Sequence, residues 1–162
     1  MKQRGGRSRN RPPIHLRGHH LLCLYGFRGL GYDEDFVRNM ADLLQRLNRR
    51  PDQLVLVGET ADDICQACPH LQNGGCAKRG EESEGSIRTH DDRILQRLGI
   101  EAGQVLPAWE LFRKVERLIS PEDLSGLCEG CQWLALGYCR EELGQKRIAA
   151  SADPKRDSTG KA

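Results

Sequence analysis

Residues 65–76 read CQACPHLQNGGC and residues 128–139 read CEGCQWLALGYC, so one spacing, C-x2-C-x7-C, occurs twice in a chain of 162 residues. The residues between the cysteines share almost nothing, which leaves the three thiols as the common requirement. A C-x2-C pair sets two sulfurs on one side of a tight turn, and a third cysteine can fold back to the same point. Three thiolates neither close a tetrahedral zinc site nor supply the usual four ligands of a cubane cluster, so each triad calls for a fourth ligand from elsewhere. The fold is therefore expected to be organised around Cys-bearing turns clipped by metal or cluster.

Candidates for the missing ligands are few. Cys23 is the one cysteine outside the triads, and it closes the run HHLLC, residues 19–23. In a helix, His19 and His20 lie four and three residues before Cys23 and can share its face. His70, two residues after Cys68, is the local option for the first triad. The candidate ligands are thus Cys23, Cys65, Cys68, Cys76, Cys128, Cys131 and Cys139, with His19, His20 and His70. Three arrangements follow. One triad plus Cys23 can make a four-cysteine site while the other uses a His or leaves a position open. The two C-x2-C pairs can share one site. Or there can be two clusters, one with an exchangeable iron. Against all three stands the common role of cysteine as a small buried hydrophobe, which the repeated third spacing argues against.

Composition agrees with a single domain of ordinary soluble character: 38% hydrophobic, 30% charged and 5% aromatic residues, with the seven cysteines as the anomaly. Lys2 to Arg17 is basic and polar, and the apolar run Leu21 to Tyr25 is too short for a leader or a membrane span, so a cytoplasmic location without membrane contact is expected. Reduced thiols there favour metal or redox roles over disulfides. The net charge of +2 hides an asymmetry, because residues 1–17 hold six Lys/Arg and no acid, leaving 19 basic against 23 acidic residues elsewhere. A mildly acidic body is a poor nucleic-acid surface. Only the N-terminal arm could touch such a partner.

Periodicity predicts a mainly α domain, with α+β as the variant, over residues 14–150, between a disordered basic arm (1–13) and a disordered tail (151–162). IHLR reads as a short strand and GHHLLCLYGF as a brief apolar helix. Asp33 caps a helix carrying Phe36, Met40, Leu43 and Leu47. QLVLVG reads as a strand, and Thr60 or Asp62 as the cap of the turn that delivers Cys65 and Cys68. Residues 80–87, GEESEGSI, read as an exposed acidic loop, followed by a helix from Asp92 capped by Thr89 or Asp91 and ended by Gly99. PAWELFRKVERLI is a second amphipathic helix, and SPED starts the turn into Cys128.

The stretches LRGHHLLCLYGFRGLGY, DDICQACPHL and CEGCQW together resemble a family of small bacterial and archaeal proteins known as domain of unknown function 1284. The resemblance spans most of residues 14–140. It implies a suggested iron-sulfur-binding role without an established activity, and it falls on Arg17, His19, His20, Cys23, Asp63, Cys65, Cys68, His70, Cys128, Cys131 and Trp133. Cys76 and Cys139 rest on spacing alone. The leading expectation is an iron-sulfur protein of the 4Fe-4S type, with electron transfer or redox sensing as its role and a redox partner protein as its counterpart. The alternative is a structural zinc module acting as a protein or nucleic-acid adaptor. Catalysis, through an open iron or through His19, His20 or His90 with Asp91 or Asp92, ranks below both, because no phosphate loop, nucleophile elbow or dinucleotide fingerprint is present.

Overall fold

The structure, a computed structural model, describes residues 11–145 and 149–152. Most of the expected arm (residues 1–10) and tail (residues 153–162) lies outside the described residues. The architecture is mainly helical. Strand β1 (Ile14–Arg17) runs directly into helix α1 (Gly18–Cys23), and α2 (Glu34–Arg49) leads to β2 (Leu54–Gly58). A small hairpin, β3 (Leu71–Gln72) with β4 (Gly75–Cys76), precedes the long helix α3 (Ser83–Leu98). Strand β5 (Val105–Pro107), α4 (Ala108–Leu118), α5 (Leu124–Leu127) and α6 (Tyr138–Gln145) complete the fold.

The central sheet has the order β1-β2-β5, with β1 and β2 parallel and β5 antiparallel to β2. A parallel pair needs a crossover, here supplied by α1 and α2. Asp33 caps α2 by accepting the Phe36 amide at 2.8 Å, and Phe36, Met40, Leu43 and Leu47 form its buried stripe. Each such side chain contributes roughly 1.5–3 kcal/mol of transfer free energy. On the same core α4 buries Leu111, Phe112 and Val115, together with Ile14, Leu16, Val55 and Val57 of the sheet. Ser120 and Asp123 form a reciprocal capping box, with Pro121 at the first helical position, that turns the chain toward Cys128. No helix among the described residues is long and apolar enough to cross a membrane.

One expected loop is a helix. α3 begins at Ser83, nine residues before the expected start, so GEESEGSI supplies its first turns and neither Thr89 nor Asp91 is its cap. Local composition disfavours helix there, but Glu84 and Asp91, two turns apart, both face the buried guanidinium of Arg17. That tertiary pairing overrides the weak local propensity. Gly99 ends α3 in the left-handed conformation, as expected.

Candidate metal centre

Both C-x2-C segments close through the same pair of backbone hydrogen bonds, over a 3-10 turn at Cys65–Ala67 in the first and over a turn with Gly130 in the left-handed conformation in the second. The Cys68 amide donates to the Cys65 carbonyl at 2.9 Å and the Cys131 amide to Cys128 at 3.0 Å; the Leu71 amide then donates to Cys68 and the Leu134 amide to Cys131, each at 3.2 Å. The repeated sequence spacing is thus a repeated hydrogen-bond pattern carried on two different turns. Its two copies sit in different company.

The second triad gathers with Cys23. The Cys23 thiol is pushed well above its ordinary value, first by burial and then by Cys131, Cys128 and Cys139. Burial pushes Cys128 up to about 12, with Cys131 and Cys139 adding to it. Cys139 rises through burial and Cys131. Every pair among the four thiols therefore interacts. α1 delivers Cys23 at its last position, and the turn after it admits Cys139 only because residue 26 is glycine: a Cβ on Gly26 would overlap the Cys139 sulfur. Metal binding at these thiols must displace their protons.

The first triad is divided. Cys68 and Cys76 are electrostatic neighbours, and the His70 amide hydrogen-bonds to the Cys68 sulfur, opposing the upward push of burial. The Ser83 hydroxyl donates to the Cys76 sulfur at 3.7 Å. Cys65, pushed up to about 12 by burial and then by Asp62, instead faces His20 and Asp62, and one ligand atom of each of these three lies within 4.8 Å of the others. The His70 ring packs edge-on against Tyr32 at 4.6 Å, and Tyr32 in turn contacts Trp133 at 5.7 Å. Trp133 thus joins an aromatic wall with Tyr32 and His70.

Behind the thiols lies a buried ionic hub. Arg17, wholly buried, donates from Nε to Asp91 at 2.7 Å and from Nη1 and Nη2 to Glu84 at 3.2 and 3.0 Å. Asp91 also accepts the His19 amide at 2.9 Å and pairs with His19 Nδ1 at 2.6 Å. Asp62 receives the Arg17 amide and pairs with His20 Nδ1, both at 2.7 Å. Burial opposes the ionised Asp62, but His20 and the Arg17 and Cys65 amides hold its carboxyl below the ordinary range. Burial and His20 depress His19 to about 4 against the pull of Asp91, so its imidazole is neutral at pH 7. Gly18 permits this assembly, because a Cβ there would sit 2.6 Å from the Asp91 carbonyl oxygen. With Nδ1 tied to a carboxylate, His19 and His20 each keep Nε2 for a ligand, the arrangement seen for metal-bound histidine. His90 stacks on His19 at 5.5 Å, and its buried Nε2 has no hydrogen-bond partner among the described residues.

All seven cysteines and His19, His20, His70 and His90 line one cavity of about 690 Å³. The candidates from the sequence are therefore brought to a common space, with Cys23 beside the second triad and His20 beside Cys65. Asp63, one of the family-motif residues, instead accepts the His15 amide at 3.0 Å, and Asp92 is exposed and pairs with Gln96. Sequence reading missed the orienting roles of Asp62, Asp91 and Glu84. The signal was present in the seven-residue interval between Glu84 and Asp91, but that stretch read as a loop.

A family model with the description "Protein of unknown function (DUF1284)" matches residues 31–137, more than half of the chain. The matched span holds five of the seven cysteines and leaves out HHLLC and Cys139. No curated protein and no solved structure matches the chain.

Proposed function

Since the chain belongs to the DUF1284 family, whose description names no activity, we propose from its own thiols that it is a redox-active iron-sulfur protein. The cubane-type cluster would be held by Cys23, Cys128, Cys131 and Cys139. The observation that carries this reading is the mutual interaction of those four thiols, with Cys23 supplying the ligand that the second triad lacks. Four cysteines are the usual complement of such a cluster. Spacing favours it over zinc: Zn–S bonds of about 2.3 Å draw four sulfurs to within about 3.8 Å of one another. Among the described residues no three of the cysteines come within 4.8 Å of one another.

This chain's residues would bind the cluster as thiolates, cover it with the wall of Tyr32 and Trp133, and leave it near the cavity. The bound group would supply one-electron transfer. Protein purified without oxygen is expected to be brown, with iron and acid-labile sulfide in equal amounts, and to lose both in Cys23→Ser and Cys128→Ser. Colourless protein containing zinc in all four-thiol-intact samples, with no iron or sulfide, would overturn the reading and leave a structural zinc module in its place.

A further inference from the structure

One end of the cavity holds hydrogen-bond acceptors that no single ion can gather. The ring centroids of His19 and His20 lie 4.1 Å apart, and His90 stacks on His19 at 5.5 Å, its ring 16° from parallel. Yet no three nitrogens of these rings come within 4.8 Å of one another, which is too wide for one shared metal. We propose that this imidazole cluster, with Arg93 beside it, binds a planar nitrogen heterocycle that carries N–H donors and a phosphate arm, the chemistry of a mononucleotide. The proposal does not depend on what the four thiols around Cys23 hold.

The need for donors follows from what the imidazoles lack. Asp91 takes Nδ1 of His19 at 2.6 Å, and Asp62 takes Nδ1 of His20 at 2.7 Å. Both carboxylates are held below their ordinary range and so only accept. Each Nδ1 is therefore the donor, and Nε2 of each ring stays free, as a bare lone pair on the neutral His19. His90 Nε2 is buried with no hydrogen-bond partner among the described residues, and burial lowers the affinity of this ring for a proton. Buried polar atoms are otherwise almost always paired. Neutral imidazole lone pairs repel carboxylate and phosphate oxygens but accept from N–H, so the group that enters here is a donor. Acceptors too far apart for one ion suit donors spread along the edge of a ring.

The rest of the lining fits the remainder of such a molecule. Tyr32, His70 and Trp133 line the same cavity of about 690 Å³, a size typical of small-molecule sites, and aromatic side chains stack on heterocycles of any kind. Arg93 follows His90 by one turn of α3, lines the cavity and makes no ion pair among the described residues. Lys78 and Arg79 also line it but are engaged, donating to the Tyr32 hydroxyl at 3.0 Å and the Gly130 carbonyl at 2.9 Å. Arg93 is thus the cation left for the anionic arm, and a planar guanidinium matches phosphate through two parallel N–H bonds.

The experiment titrates the full chain, purified without oxygen, with guanosine monophosphate, uridine monophosphate and flavin mononucleotide in a calorimeter. Each has a ring N–H and a phosphate. At least one of the three should saturate at one molecule per chain. Methylating the ring nitrogen of that ligand should weaken binding about tenfold, and so should His90→Phe, which keeps the stacked ring and removes the acceptor. Arg93→Gln should weaken the phosphorylated ligand about fivefold and leave its dephosphorylated form unchanged, a split that a merely structural effect would not produce. Circular dichroism checks that each variant is folded. Saturation by none of the three, equal affinity for the methylated ligand, unchanged affinity in His90→Phe, or an equal effect of Arg93→Gln on both forms would each overturn the proposal.

Discussion

Asp91 is the residue whose loss should be felt most widely. Its side chain is wholly buried and is bonded to Arg17 Nε at 2.7 Å, the His19 amide at 2.9 Å and His19 Nδ1 at 2.6 Å. Asp91→Ala would strand all three partners and leave the buried guanidinium with Glu84 as its one acidic partner. Breaking a buried pair by removing one member costs about 3–5 kcal/mol, and each stranded donor about 1–3 kcal/mol. Because Glu84 stays in place, we expect about 4 kcal/mol, a large share of the 5–15 kcal/mol typical of a domain. Guanidinium unfolding at pH 7 measures it as a lowered midpoint at unchanged slope. Asp91→Asn keeps one carbonyl acceptor and should cost less. Asp92→Asn, one residue on and exposed, should stay within about 0.5 kcal/mol of wild type. The double variant Arg17→Met with Asp91→Leu should cost less than the two single changes summed, because no uncompensated charge pair is left. An Asp91→Ala protein within 1 kcal/mol of wild type would refute the ionic hub.

Three further outcomes follow from the same structure. In metal-free protein Cys65 and Cys128 keep their protons up to about pH 12, against about 8.5 in an unfolded chain. The stability they contribute is full below pH 8.5 and falls as pH rises toward 12, by about 1.4 kcal/mol per unit for each thiol; urea unfolding of chelated protein at pH 7 and pH 10 checks this, and rising stability would contradict it. Gly26→Ala should push Cys139 aside and lower the iron content while the far-ultraviolet dichroism stays native; full iron content would show that Cys139 is not a ligand. Gly85→Ala, within α3 and facing open space, should raise stability by about 0.5–1 kcal/mol, as read from the thermal midpoint.

Much of the scaffold was legible because it rests on local chemistry. The Asp33 cap, the stripe of α2, the Gly99 terminus and the SPED capping box each declare themselves within a few residues, and the structure places each where its sequence does. The start of α3 was not legible, since the partner that makes Glu84 and Asp91 face inward is Arg17, 67 and 74 residues away. Likewise the candidate ligand list could be read from the sequence, including HHLLC as the place to look, but its division could not. Which triad Cys23 joins depends on the approach of α6 to the turn at Gly26, and which histidine meets Cys65 depends on Asp62, a residue that read only as a helix cap.

The repeat of one spacing in two settings explains why spacing alone left three arrangements standing. The Cys-to-Cys backbone hydrogen bond recurs in both copies on different turns, a 3-10 turn at Cys65–Ala67 and one with Gly130 at a φ of 80°, so the spacing carries no information about the fourth ligand. That choice is made by what packs against each turn. At Cys128 the neighbours are the end of α1 and the start of α6, which bring thiols; at Cys65 they are Asp62 and His20, whose Nδ1 Asp62 holds at 2.7 Å. Soft, all-thiolate surroundings suit iron-sulfur clusters, and a mixed nitrogen and sulfur set suits zinc.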